Sequence, residues 1–400
     1  MQQSEVRILT THAGSLSRTP ALSKLLIEQD HNRPVDLAEL AVAIDASMEH
    51  VVAEQLKSGI DISGNGEQTR AGYSTYPAQR ISGFGGQSTR NDLWDLEKFP
   101  IYAEAWRAAF RAGPEKSSRI VNAPQAVAEL DYDPEFSDVR SECEAFEAAL
   151  ETQAACFAET FITAASPGCV MTIMHNAYYP SDRDYLFALA KELKKEYDFI
   201  VARGHLLQID APDLAMERHL YFRDVPDADF LASVETHIEA LNVALTDVPR
   251  DRVRLHVCWG TWDGPHADDT PLAPLLPRLY EAKVGALNMP FANPGHQHEY
   301  ETFRKHPLPQ DMILIPGVID NMSKHLEHPE VVAERIIRAV DMVGDRARVI
   351  AGVDCGFAVF TDYALVTEDI CWAKFRALRE GADVLPVGAA NDLDDLSAIR

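Results

Sequence analysis

The chain has 400 residues, 46% hydrophobic and 25% charged, ordinary values for a soluble globular protein of one large domain or two smaller ones. Its formal net charge of −25 argues against nucleic acid and anionic membrane surfaces as partners, because no excess of Lys and Arg exists to neutralise phosphates. No apolar run nears the ~18 residues of a membrane span, the N-terminal stretch lacks a secretory apolar segment, and six cysteines are too sparse for a disulfide scaffold. A reducing, cytoplasmic location is therefore expected, in which a functional cysteine is a metal ligand or a nucleophile.

Read in order, the chain alternates short β-rich runs with amphipathic helices. Arg7–Thr10 is expected as a first strand. Asp36-Leu37-Ala38-Glu39 reads as a capping box. It opens a helix whose apolar residues Leu40, Ile44, Met48, Val51, Val52 and Leu56 recur at helical spacing, and Gly59 closes it. Ile60–Ser63 follows as a strand. Residues 68–136 fit no βα unit. They are rich in Gly, Arg and aromatics (Tyr73, Tyr76, Phe84, Trp94, Trp106) and are expected to insert over the active face. Val170–Ile173 reads as the third strand, Asp184–Arg203 as a helix stopped by Gly204, and Leu206–Asp210 as the fourth strand. Val253–Val257, Gly285–Asn288, Ile313–Val318 and Val349–Val353 complete the set. Between the last two, Pro329 opens a helix with the stripe Val332, Ile336, Val340 and Val343, ended by Gly344. Eight strands with helices between them predict a parallel sheet closed into a (β/α)8 TIM barrel, one domain over residues 1–400. An open doubly wound sheet is the alternative.

Barrel active sites lie at the C-terminal ends of the strands. The polar residues there are Ser15, Glu67, His175 with Asn176, Asp210, His256 with Cys258, Asp320 and Cys355. His256-Val257-Cys258 is the sharpest local signal, since residues two apart on an extended segment leave the same face and can reach one ion. A lone His-x-Cys is weak; a further cysteine, Cys355, at another strand end strengthens it. Two thiolates and an imidazole suit zinc. The other four cysteines read as small buried hydrophobes. Bland readings stand beside these: Asp210 as a helix cap, Glu67 as a loop charge in Asn65-Gly66-Glu67, and His296 and His298 as exposed loop histidines. Gly83-Phe84-Gly85-Gly86 lacks the Lys-Ser/Thr of a phosphate loop.

Taken together and in order, Thr11-His12-Ala13-Gly14-Ser15-Leu16, Gly66-Glu67, Gln208-Ile209-Asp210, His256-Val257-Cys258, Pro316-Gly317-Val318-Ile319-Asp320 and Asp354-Cys355-Gly356 resemble the catalytic barrel of cobalamin-independent methionine synthase. The resemblance is closer to its short single-barrel relatives, which include epoxyalkane–coenzyme M transferase; uroporphyrinogen decarboxylase is a more distant likeness. The resemblance implies zinc held by His256, Cys258 and Cys355. It implies that Ser15, Glu67 and Asp210 bind the amino-acid part of a small thiol, and that methyltetrahydrofolate is a candidate methyl donor. Two departures stand out. Pro290 occupies the place of a zinc-binding Glu, and Met322 the place of a His that acts as an acid, which leaves Asp320 or another carboxyl to supply the proton. His12, His175, Asn176, His296 and His298 are further candidates for the site. Thiol methyl transfer is the first expectation. The alternatives are zinc-dependent C–S bond formation on another electrophile such as an epoxide, and a metal-free lyase or non-catalytic binding protein. The sequence leaves open the thiol, the alkyl donor and whether the chain forms homo-oligomers.

Overall fold

The structure, a computed structural model, describes residues 1–89, 94–110, 122–361 and 363–385. Its strands are β1 (Ile62–Gly64), β2 (Ile81–Gly85), β3 (Gln125–Tyr132), β4 (Glu159–Ala165), β5 (Leu206–Asp210), β6 (Val253–His256), β7 (Ala286–Pro290), β8 (Ile313–Ile319) and β9 (Gly352–Val353). Seven form one parallel sheet in the order β1-β4-β5-β6-β7-β8-β9. Parallel neighbours need crossovers, and the helices Asp182–Ala202, Asp227–Ala244 and Pro329–Val343 supply three of them. The sheet is curled, and residues 9–11 touch both of its edges. Thr11 N donates to Ala351 O (2.9 Å) beside β9, and Ile62 N of β1 donates to Thr10 O (3.0 Å).

Period-two alternation sorts the inner face into layers. Leu206, Ala286, Ile313 and Ile315 join Leu9, Ile62 and Phe161 in an apolar plug. Two residues further along β5 comes Gln208, which accepts from Arg254 Nε (2.7 Å), while Arg254 also donates to Thr11 Oγ1 (2.9 Å). The Arg254 guanidinium lies 3.9 Å above the Phe161 ring, so a polar layer rests on the plug. Another step of two brings Asp210, and His256 on the neighbouring strand in register with it.

The helix expected from Asp36 runs Leu37–Lys57, its cap accepting from Ala38 N (2.9 Å) and Glu39 N (3.2 Å). The third strand is a correction. Residues 170–173 belong to the helix Pro167–Ile173, and the strand is β4. Val170-Met171-Thr172-Ile173 has strand-like composition, but Ser166 caps Cys169 N (2.9 Å) and Pro167 opens the helix. The expected 68–136 insertion contains the antiparallel pair β2–β3, so the glycines at 83 and 85 are strand residues. Its helices Trp94–Lys98 and Pro100–Phe110 bring Leu96 and Ala103 against Trp262. Residues 90–93 and 111–121 of that stretch, and 386–400 of the expected domain, lie outside the described residues. No helix among the described residues is long and apolar enough to cross a membrane.

Candidate metal centre and active site

The inward step from Arg254 to His256 continues past the end of β6 to Cys258. Across the sheet, β9 delivers Cys355. Donor atoms of His256, Cys258 and Cys355 all lie within 4.8 Å of one another, with His256 Nε2 3.4 Å from Cys355 Sγ. All three side chains are buried. Their protons are crowded. A hydrogen bond from Cys258 pulls the Cys355 thiol well below its ordinary pKa, helped by His256 and the Thr261 hydroxyl, and the same bond with burial pushes Cys258 up. Burial opposes a charged His256 ring, yet Cys355 beside it raises the ring's pKa. Two sulfurs and one nitrogen that must share protons in a buried space make a donor set that fits a zinc ion.

Asp354 fixes the position of Cys355. Its carboxylate accepts from Phe291 N (2.9 Å), Ala292 N (2.8 Å), Asn293 N (2.8 Å) and Asn293 Nδ2 (3.0 Å), which ties the loop after β7 to β9. Burial raises this carboxyl to about 7 against the pull of those donors. The approach requires glycine at 317, where a Cβ would stand 2.1 Å from Asp354 Oδ1.

Ser15, Glu67 and Asp210 gather at the same end. Ser15 is buried and packs on Gly356, where a Cβ would meet Ser15 Oγ at 2.1 Å. Glu67 has a left-handed backbone (φ 57°), held by its N–H on Asn65 Oδ1 (3.0 Å) and by Arg18 Nη2 on its carbonyl (2.7 Å). Its Oε1 accepts from Thr163 Oγ1 (3.1 Å), while Oε2 is buried with no hydrogen-bond partner. Burial raises its pKa. Asp210 Oδ1 accepts from Gln208 Nε2 (2.8 Å). Burial lifts Asp210 to about 7, with His256, Glu67 and Cys355 all close enough to act on it. It does not cap a helix: the 3-10 turn Pro212–Leu214 starts from Ala211.

None of the other candidates joins the trio. His12 is buried against Gln55 (2.9 Å), and burial drives it down to about 3, so it is a neutral core residue. His175 and Asn176 follow a helix instead of a strand. His175 stacks edge-on with Tyr221, and Asn176 Oδ1 closes a turn on Tyr179 N (2.8 Å). His298 is exposed. His296 stacks on Trp259 at 4.2 Å and bonds to Asp269 (2.8 Å); neither joins the trio. Asp320 accepts from Met322 N (2.8 Å) and is half-buried. Pro290 is buried at the end of β7 opposite Gly317.

The sequence reading missed the collar around Asp269. This carboxylate lies against His219 Nε2 (3.1 Å), His266 Nδ1 (2.9 Å) and His296 Nε2 (2.8 Å), which come from three separate segments. Burial pushes Asp269 up, but the imidazoles outweigh it and hold it well below the usual carboxylate range. The spacing His266-x-x-Asp269 was the one local hint.

No protein-family model matches the chain. A 2-hydroxypropyl-CoM lyase of Xanthobacter autotrophicus is 28% identical over 240 residues, covering 53% of this chain and 57% of the relative, so the chain spans just over half of that protein's length. A methionine synthase of Sulfolobus acidocaldarius is 25% identical over 340 residues, 84% of this chain and 82% of the relative. Among solved structures, the B12-independent methionine synthase of Shewanella sp. W3-18-1 in complex with selenomethionine superposes with a TM-score of 0.69 at 17% identity, covering 94% of this chain and 97% of that one. A structure described as the putative vitamin-B12-independent methionine synthase of Listeria monocytogenes gives 0.63 at 17%, covering 96% and 99%. These neighbours share the fold, and the sequence relatives are homologues named as enzymes.

Proposed function

From this kinship with cobalamin-independent methionine synthases and their short relatives, we propose that the chain transfers an alkyl group, foremost methyl, to the thiol of an amine-bearing substrate of the homocysteine type. Residues 9–11 are read as the eighth stave of a closed (β/α)8 barrel, one domain with residues 68–136 lying over its mouth. The observation that carries the substrate reading is the pair Glu67 and Asp210. Both are buried beside the His/Cys/Cys trio, and one Glu67 oxygen lacks a partner. An ammonium group supplies the missing donors and the compensating charge.

His256, Cys258 and Cys355 would hold the zinc. With Pro290 where the resemblance puts a carboxylate, two thiolates and a neutral imidazole would match the charge of the dication. Zinc bound there supplies Lewis acidity that lets a thiol, with its ordinary pKa near 8.5, lose its proton at neutral pH. Glu67 and Asp210 orient the amine, Ser15 and nearby backbone N–H groups the carboxylate. The sulfur then forms its bond to the donor carbon as the carbon–nitrogen bond of a methyltetrahydrofolate-type donor breaks. The leaving nitrogen needs a proton, and Asp320 or another carboxyl of the mouth is assigned to deliver it.

A second reading, C–S bond formation on an epoxide, draws support from the lyase relative. The buried carboxyls favour an ammonium group over the sulfonate of a thiol such as coenzyme M, because an anion beside them would push their already raised pKa values higher still. The purified protein is expected to contain about one zinc per chain, most of it lost in Cys258→Ser and in Cys355→Ser. It is expected to methylate homocysteine from methyltetrahydrofolate and not to join coenzyme M to epoxypropane. Full zinc in both variants would overturn the site, and the opposite pattern of activities would install the second reading.

A further inference from the structure

The polar layer above the apolar plug has a further member. Thr163 stands two residues beyond Phe161 on β4, in register with Gln208 on β5, and is fully buried. Its hydroxyl oxygen accepts from Arg70 Nη1 (3.1 Å), and its hydrogen goes to Glu67 Oε1 (3.1 Å). A threonine hydroxyl has one hydrogen to give, so the guanidinium on one side fixes the direction of the bond on the other. Gly14 makes room for the pair: a Cβ there would stand 2.7 Å from both Glu67 Oε1 and Thr163 Cγ2. Arg70 is itself held by the helix Ser137–Thr152, where Glu142 Oε2 accepts from its Nη2 (2.9 Å). The other Glu142 oxygen accepts from Asn65 Nδ2 (2.7 Å), while Asn65 Oδ1 takes the Glu67 N–H (3.0 Å). One carboxylate thus bears on Glu67 by two routes, through its backbone and through its side chain. Burial pushes Glu142 up, but Arg70 and Arg80 outweigh it and hold it at about 2. The charge of Arg70 is therefore matched by Glu142, and the donor that touches the Glu67 carboxylate is a neutral hydroxyl.

We propose that Thr163, aimed by Arg70, is a positioning residue for amine recognition: it holds Oε1 of Glu67 without neutralising it, and leaves Oε2 and the carboxylate's charge for the ammonium group of a thiol substrate. The assignment rests on the reading of Glu67 as an amine-binding residue. An arginine in direct contact would supply the charge itself and remove the reason for an ammonium group to bind. A neutral donor orients the carboxylate and leaves its charge unmatched. Asp210 is served in the same way, since the Gln208 amide donates to it while Arg254 Nε bonds to the Gln208 oxygen. Two carboxylates, each with a neutral donor placed between it and a buried guanidinium, make a site that selects a cation.

Titration calorimetry with homocysteine and with γ-mercaptobutyrate, the same thiol without its amine, tests this on the purified protein supplied with zinc. Thr163→Val keeps the shape and removes the hydroxyl; Thr163→Ser keeps the hydroxyl. The Val variant is expected to bind homocysteine about 10-fold more weakly and γ-mercaptobutyrate as the wild type does. The Ser variant is expected to restore the preference for homocysteine, and Thr163→Ala carries the expectation of the Val variant should that one not fold. A wild type that prefers homocysteine, with the preference intact in the Val or Ala variant or with both thiols weakened alike, would overturn the positioning role alone. A wild type without that preference would overturn the amine-binding reading of Glu67 and this role with it.

Discussion

Asp210 shows how a single carboxylate reveals its job by its surroundings. It is buried, it caps nothing, and the donor to its carboxylate is the neutral Gln208 amide. Its folded pKa of about 7 exceeds the ordinary ~3.9. The stability linked to it is therefore full below about pH 4 and is lost as the pH rises through about 7. Asp210→Asn should remove that slope, leave the melting temperature at neutral pH unchanged or higher, and weaken homocysteine binding about 10- to 100-fold, the worth of a charged hydrogen bond. Calorimetry and titration check both halves; a large loss of stability with binding intact would return Asp210 to a structural role. At this scale the trio was legible, because period two and strand ends place side chains from sequence alone. Asp354 was not, since the N–H groups it holds lie 61 residues or more away along the chain.

At the scale of elements, most strands and the capped helices could be read from periodicity and caps. Strand β4 could not. Glu159-Thr-Phe-Ile-Thr-Ala-Ala sits between a helix and a capped turn, and the apolar run after it competed for the assignment. The loop of residues 257–271 was invisible for another reason: its order comes from tertiary partners. Lys98 bonds to Asp268 (2.5 Å), Asp95 accepts from Ala267 N (3.2 Å), and Asp269 holds its three imidazoles. Burial disfavours a charged His266, but Asp269, with Asp95 further off, raises its pKa. The two groups act on opposite sides of a pH window. Asp269, depressed, contributes stability above about pH 4 that is lost only in stronger acid. His266, raised, contributes stability that is full below about pH 6.5 and fades as the pH climbs past its folded pKa. Amide hydrogen exchange, corrected for intrinsic rate, should show residues 259–271 losing protection between pH 6 and pH 9 while β5 and β6 hold theirs. Equal protection across that range would show that the collar does not fasten the loop.

For the molecule as a whole, the alternation of strands and helices announced the parallel sheet. What the sequence did not announce is the polar layer beneath the site. Arg254 is fully buried, and its guanidinium joins Gln208 to Thr11 and the His12 carbonyl over the Phe161 ring. Arg254→Met should cost on the order of 3 kcal/mol in chemical denaturation, because it strands several buried acceptors at once; a loss below about 1 kcal/mol would mean that water replaces the guanidinium. The contact of residues 9–11 with both edges of the sheet also carries a consequence in time. Ser4 Oγ donates to Val349 O, 345 residues later, and Thr11 waits on Ala351 in the same way. At a synthesis rate of ~5–20 residues per second, the first segment stays without its second neighbour for roughly 20 to 70 seconds. Cys355 emerges at the close of that interval, so a nascent chain holds His256 and Cys258 well before it can complete the set of three that could hold an ion.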